Sequence, residues 1–114
     1  MNVRLSVGEV RFRISSDEYA SLCRGAALAE TIMLPDAVTF AASIRPAASD
    51  SPVTLELRGR TAGVCLLVSQ EGLRMLSAEE TLRDGLEACC PVEGASPLRV
   101  CLQVDAGRSR KKSQ

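Results

Sequence analysis

Phe12-Arg13-Ile14-Ser15-Ser16-Asp17 and Leu66-Leu67-Val68-Ser69-Gln70-Glu71 match at an offset of 54 residues, and Tyr19 aligns with Leu73 and Leu22 with Leu76 in the same frame. Each stretch runs from the apolar end of a strand through a serine into a helix. Serine suits that junction because its side-chain oxygen accepts a hydrogen bond from an unpaired N–H of the first turn. Glu18 follows Ser15 at the spacing of a capping box. Such junctions look alike in unrelated proteins, so the match becomes meaningful only through the order of the elements around it.

That order repeats. Val3, Leu5 and Val7 alternate with Arg4 and Ser6, and after Gly8-Glu9 the alternation resumes with Val10, Phe12 and Ile14. Alternation of period two predicts a hairpin with one buried face and one Arg-bearing outer face. Tyr19, Leu22, Cys23 and Ala26 then fall on one stripe of a short helix, with Gly25 at its end. Glu30 to Leu34 reads as a third strand, Pro35-Asp36 as a turn, and Val38, Phe40, Ala42 and Ile44 as a fourth strand. Residues 46–52 read as a loop.

The second half goes the same way. Val53, Leu55 and Leu57 alternate, Gly59 to Gly63 turns the chain, and Val64 to Val68 reads as a central strand covered on both faces. Ser69 caps a helix carrying Leu73 and Leu76, which Gly72 is expected to weaken. Ser77 to Asp84 reads either as a further helical turn or as a loop, Leu86 to Cys90 as a strand, and Leu98 to Val104 as the last strand. The expectation is one α+β domain over residues 1–105, built from two ββαββ units at about 1–46 and 52–105. About eight mostly antiparallel strands would form a sheet or closed barrel with two short helices. Residues 106–114 are polar, basic and without apolar anchors, which predicts a disordered tail.

The chain has 114 residues, enough for one modest core and not for two. Two units this short must therefore bury their apolar faces against each other, and a barrel would also hide the strand edges. This element order resembles the duplicated swapped-hairpin barrel of the AbrB type, a resemblance of topology only. A second resemblance is carried by MNVRLSVGEVRFRISSDEYASL, LELRGRTAGVCLLVSQEGLRML and LRVCLQVD. Together these resemble a bacterial family of uncharacterised proteins, a domain of unknown function whose members open as MKIRIxGNxxRxRLTxxE. Asn2 to Leu5 and Arg11 to Ile14 match that opening, Glu18 stands at its capping position, and the chain departs from it by stopping in GRSRKKSQ. The resemblance implies a small cytoplasmic bacterial protein and assigns no activity.

Composition narrows the chemistry. Histidine is absent, which removes His-based acid–base catalysis, His-activated nucleophiles and most zinc and copper sites. Aromatic residues are limited to Phe12, Tyr19 and Phe40, too few for a base-stacking platform. Fourteen basic residues balance fourteen acidic ones. Four of the positive charges lie in the tail at Arg108, Arg110, Lys111 and Lys112, leaving the preceding body net acidic. No signal-peptide pattern and no apolar run of membrane-spanning length is visible, so a cytoplasmic location with five free thiols is expected. No cofactor motif is present.

Three candidate sites remain. Arg4, Arg11 and Arg13 share the outer face of the first hairpin and, with Arg58 and Arg60 from the equivalent hairpin, would make an anion-binding patch; an ordinary solvated face beside Glu9, Glu56 and Asp17 is favoured over it. Cys89-Cys90 would offer thiols to a soft metal, but on a strand they point to opposite faces, and small buried hydrophobes are the favoured reading. The basic tail would bind nucleic acid only weakly, so a solubilising terminus is favoured. The acidic pairs Asp17-Glu18 and Glu79-Glu80 fit helix starts, where the macrodipole favours them, without a catalytic role. The resulting expectation is a non-enzymatic accessory module that contacts a protein partner or itself as a homodimer. A small anion- or ligand-binding barrel is the alternative, and nucleic acid is the least favoured partner.

Overall fold

A computed structural model describes residues 1–47, 53–77 and 85–105. The first hairpin forms as β1 (Asn2–Ser6) and β2 (Glu9–Ile14), with Gly8 at φ 83° in its turn. Helix α1 (Ser16–Cys23) follows, closed by a complete capping box: the Ser15 hydroxyl accepts from the Glu18 N–H at 3.1 Å, and the Glu18 carboxylate accepts from the Ser15 N–H at 2.8 Å. A second hairpin is β3 (Leu28–Leu34) and β4 (Val38–Pro46), joined by a short 3-10 turn at Pro35–Ala37. The other half repeats this with β5 (Leu55–Arg60), β6 (Gly63–Val68), α2 (Gln70–Leu76), β7 (Leu86–Cys90) and β8 (Leu98–Val104). The element order ββαββ therefore occurs twice.

The strands do not close into a barrel. They make two four-stranded sheets, sheet A in the order β1-β2-β8-β7 and sheet B in the order β3-β4-β6-β5. Each sheet takes one hairpin from each half of the chain. Hairpins pair internally antiparallel, but the two hairpins of a sheet meet through a parallel pair, β2 with β8 and β4 with β6. Closure would need β1 to pair with β3 and β5 with β7, and all four strands instead end their ladders as sheet edges.

The registers repeat along with the order. Asn2 pairs with Arg13, and both positions moved by 54 give the observed pair Glu56 and Leu67. Leu28 pairs with Ile44, and both moved by 58 give Leu86 and Leu102. The parallel pairs Phe12–Leu102 and Leu66–Ile44 exchange under the same two shifts. The pairing scheme thus maps onto itself when the halves are swapped.

One apolar core lies between the sheets. Phe12, Ile14, Ile44, Leu66, Val68, Val100 and Leu102 from the inner strands are buried in it, joined by Leu22, Leu73 and Leu76 from the helices. The helices are the crossovers between sheets, and they meet where the Tyr19 hydroxyl donates to the Leu73 carbonyl at 2.5 Å, linking the two positions that the repeat aligns. The helical stripe is shorter than its spacing suggested. The helix stops at Cys23, so Cys23 and Ala26 are exposed and Leu22 is its buried anchor. Residues 78–84 and the basic tail at 106–114 lie outside the described residues, as does Glu79-Glu80.

Candidate functional site

Alternation sends every second side chain of the inner strands outward, and the arginines follow it. On sheet A, Arg4 lies opposite Arg11 and Asn2 opposite Arg13, and these four residues line a small hollow of about 80 Å³. Arg11 is not available there as a lone cation, because it donates to Glu9 at 3.2 Å, and Arg99 reaches the same carboxylate at 3.9 Å. The hydrogen bond to Glu9 raises the pKa of Arg11 above its ordinary value. Arg4, Arg11, Cys101 and Glu87 form one cross-strand row, so carboxylates accompany Arg11 and Arg99 while Arg4 lies against Arg11.

Arg58 and Arg60 are on the other sheet. The structure therefore does not assemble the five arginines into one patch, because the swapped hairpins put the two Arg-bearing strand pairs in different sheets. On the outer face of sheet B, Arg58 and Arg60 meet Arg45 of β4, a residue the sequence reading did not single out. Together they line an open groove of about 1100 Å³ with Ser43, Cys65 and Leu67. The alternation around Ile44 already sends Arg45 outward. What the sequence lacks is the information that β4 and β5 flank the same strand.

The thiols divide as strand geometry requires. Cys89 is exposed on the outer face, and Cys90 packs toward the core. Cys65 and Cys101 are buried on outer faces, each beside an arginine, Arg58 and Arg11 respectively. Burial pushes the Cys101 thiol above its ordinary pKa, and Arg11 opposes the shift. All five cysteines are free thiols, and no cluster of three metal-binding side chains occurs among the described residues.

The main feature missed from sequence is a projecting arm. β4 pairs with β6 only from Ala41 to Pro46, whereas it pairs with β3 from Val38 to Ile44. The distal half of the β3–β4 hairpin thus runs past the rest of sheet B. Its inward face continues that of Leu28 and Ile44 through the pairs Ile32–Phe40 and Leu34–Val38. Ile32 is 53% exposed, and Leu34 and Val38 are 44% and 49% exposed. The signal for it was the length of β4, nine residues against six in β6.

At the base of the arm the N-terminal ammonium of Met1 donates to Glu18 at 2.6 Å and to Glu30 of β3 at 3.5 Å. Burial opposes the charge on this amine, but the hydrogen bond and attraction of Glu18, with Glu30, raise its pKa above 8.0. Burial likewise works against the Glu18 carboxylate, and hydrogen bonds from the ammonium and from Ser15 overcome it and lower its pKa. No helix among the described residues is long and apolar enough to cross a membrane. No family model and no curated protein matches this chain.

Proposed function

We propose that this protein is a binding module that works through protein–protein contact, with the β3–β4 arm as its contact surface and a second copy of the chain as the occupant. The observation that carries this reading is the β3–β4 hairpin running on past β6, with Ile32, Leu34 and Val38 exposed and Phe40 half-buried on one face. Exposed apolar side chains in one contiguous patch mark interaction sites, unlike scattered ones.

Apolar burial and strand pairing both contribute. Covering four part-exposed side chains on each of two arms contributes roughly 1 kcal/mol apiece, about 8 kcal/mol in all. Association costs about 4–15 kcal/mol, so burial alone leaves little surplus and the open ladder of β3 adds to it. That strand suits self-pairing. It is an edge strand of seven residues, with no proline, lysine or arginine to block addition. Antiparallel pairing of β3 on itself about Ile32 sets Thr31 against Met33 and keeps the two Glu30 side chains apart. The arm carries no basic residue, and Glu30 already has the Met1 ammonium beside it, so two arms meet with little charge between them.

Sedimentation velocity across the micromolar range tests this. The expected result is a monomer–dimer equilibrium that Ile32→Asp or Leu34→Asp abolishes, with an unchanged far-ultraviolet dichroism spectrum because both positions are exposed. A wild-type chain that stays monomeric throughout that range sinks the reading.

A further inference from the structure

We propose that the outer face of sheet B is a binding groove for a small organic phosphate, held by Arg45, Arg58 and Arg60 over a floor of Ser43, Cys65 and Leu67. This site uses neither the residues nor the face of the β3–β4 arm, so the two readings stand or fall separately.

The groove is built from two flanking strands and one central strand. Arg45 projects from β4, Arg58 and Arg60 project from β5, and β6 runs between them with Cys65 and Leu67 on the outer face. Arg45 stands in the row of Leu67, and Arg58 and Arg60 in the rows of Cys65 and Gly63. With strands about 4.8 Å apart and about 3.3 Å per residue, the α-carbon of Arg45 lies roughly 12 Å from that of Arg58 and roughly 16 Å from that of Arg60. Arginine side chains of that reach can converge on one anion above β6. Their planar forks match phosphate oxygens in pairs, which makes arginine the suited residue for such a ligand.

The outer face of sheet B is net positive, with Arg45, Arg58 and Arg60 against the one carboxylate of Glu56, which stands across Leu67 from Arg45. No acidic residue lines the groove. Glu56 shares this face and engages Arg58 at 2.9 Å, while Arg45 and Arg60 have no ion-pair partner among the described residues. On sheet A, Glu9 engages Arg11 and Arg99 together, and Glu87 stands in the row of Arg11. Cys65 is buried and Leu67 half-buried, so the floor is largely apolar and favours a phosphate that carries a hydrophobic or neutral body. The groove's volume of about 1100 Å³ accommodates such a molecule. A nucleic acid is disfavoured, because residues 1–105 carry ten arginines against fourteen carboxylates and repel a long polyanion.

Isothermal titration calorimetry at low ionic strength, with inorganic phosphate, pyrophosphate and phenyl phosphate as probes, decides the matter. The expected result is saturable one-to-one binding, with phenyl phosphate tighter than inorganic phosphate because its ring covers Leu67. Arg45→Gln and Arg60→Gln should each weaken phenyl phosphate by about tenfold or more, as loss of a charge-assisted hydrogen bond does. Arg4→Gln, on sheet A, should leave it unchanged. No saturable binding of any probe overturns the proposal. So does equal weakening by Arg4→Gln, or a single-stranded oligonucleotide that binds the groove more tightly than phenyl phosphate.

Discussion

Gly72 occupies the third position of α2, where glycine ordinarily costs a helix up to about 1 kcal/mol relative to alanine. The packing reverses that expectation. A β-carbon there would stand 2.7 Å from the Thr54 carbonyl oxygen and 3.1 Å from both Leu86 and Val68. The carbonyl belongs to the backbone and cannot swing aside, and it already accepts from the Ser69 N–H. Gly72→Ala is therefore expected to destabilise the fold by about 1–3 kcal/mol, as overpacking does, instead of strengthening the helix. Urea unfolding followed by circular dichroism measures it, and an unchanged or raised midpoint would refute the packing argument. Sequence alone reads Gly72 as a weakness because propensity concerns the residue's own helix. The close approach of the segment before β5 is a tertiary fact. Cys23 fails to join the buried stripe for a similar reason, since periodicity places it on a face but does not say where the helix stops.

Among the elements, α1 and its surroundings hold the best-connected ion pair. Glu18 completes the capping box and also receives the Met1 ammonium, tying the start of β1 to the start of α1. Its folded pKa lies below the ordinary 4.5, so its contribution is present above that value and is lost as pH falls through the folded pKa. The amine behaves oppositely. Its folded pKa lies above 8.0, so its contribution is complete below that pH and is lost as pH rises through the folded value. Glu18→Gln should lower the melting temperature at neutral pH and flatten both the acid and the alkaline arms of its pH dependence. Scanning calorimetry from acid to alkaline pH tests this, and a variant whose profile runs parallel to the wild type counts against the ion pair. The capping box was legible from the spacing of Ser15 and Glu18. The ammonium was not, because nothing in a sequence shows which carboxylate a chain terminus approaches. Strands were readable where they alternate, as in Val10, Phe12 and Ile14. Their partners were not, since period two assigns a face and leaves the neighbouring strand open. That gap hid both Arg45 beside Arg58 and the overhang of β3–β4.

At the scale of the molecule, the fold depends on exchange between halves. Each half contributes one hairpin to each sheet, and the two central parallel pairs, β2 with β8 and β4 with β6, both join one half to the other. The repeat at offset 54 and the shortage of apolar residues for two cores made a shared interior legible. Whether the sheet would close was not, because closure depends on edge strands meeting. Deprived of its partner, each half keeps two isolated hairpins, which are marginal in water. It also loses the cover over its inner-strand side chains: Phe12, Ile14 and Ile44 in one half, and Leu66, Val68 and Leu102 in the other. Burial of six such side chains contributes roughly 9–18 kcal/mol. A domain of this size has a net stability of only about 5–15 kcal/mol, so neither half retains a margin of its own. Polypeptides spanning 1–50 and 51–105 are accordingly expected to lack a cooperative thermal transition when dilute and separate. Mixed in equal amounts they should regain one, along with the far-ultraviolet signal of the intact chain. A cooperative, monomeric transition in either piece alone would mean that its two hairpins can bury their inner faces without the other half.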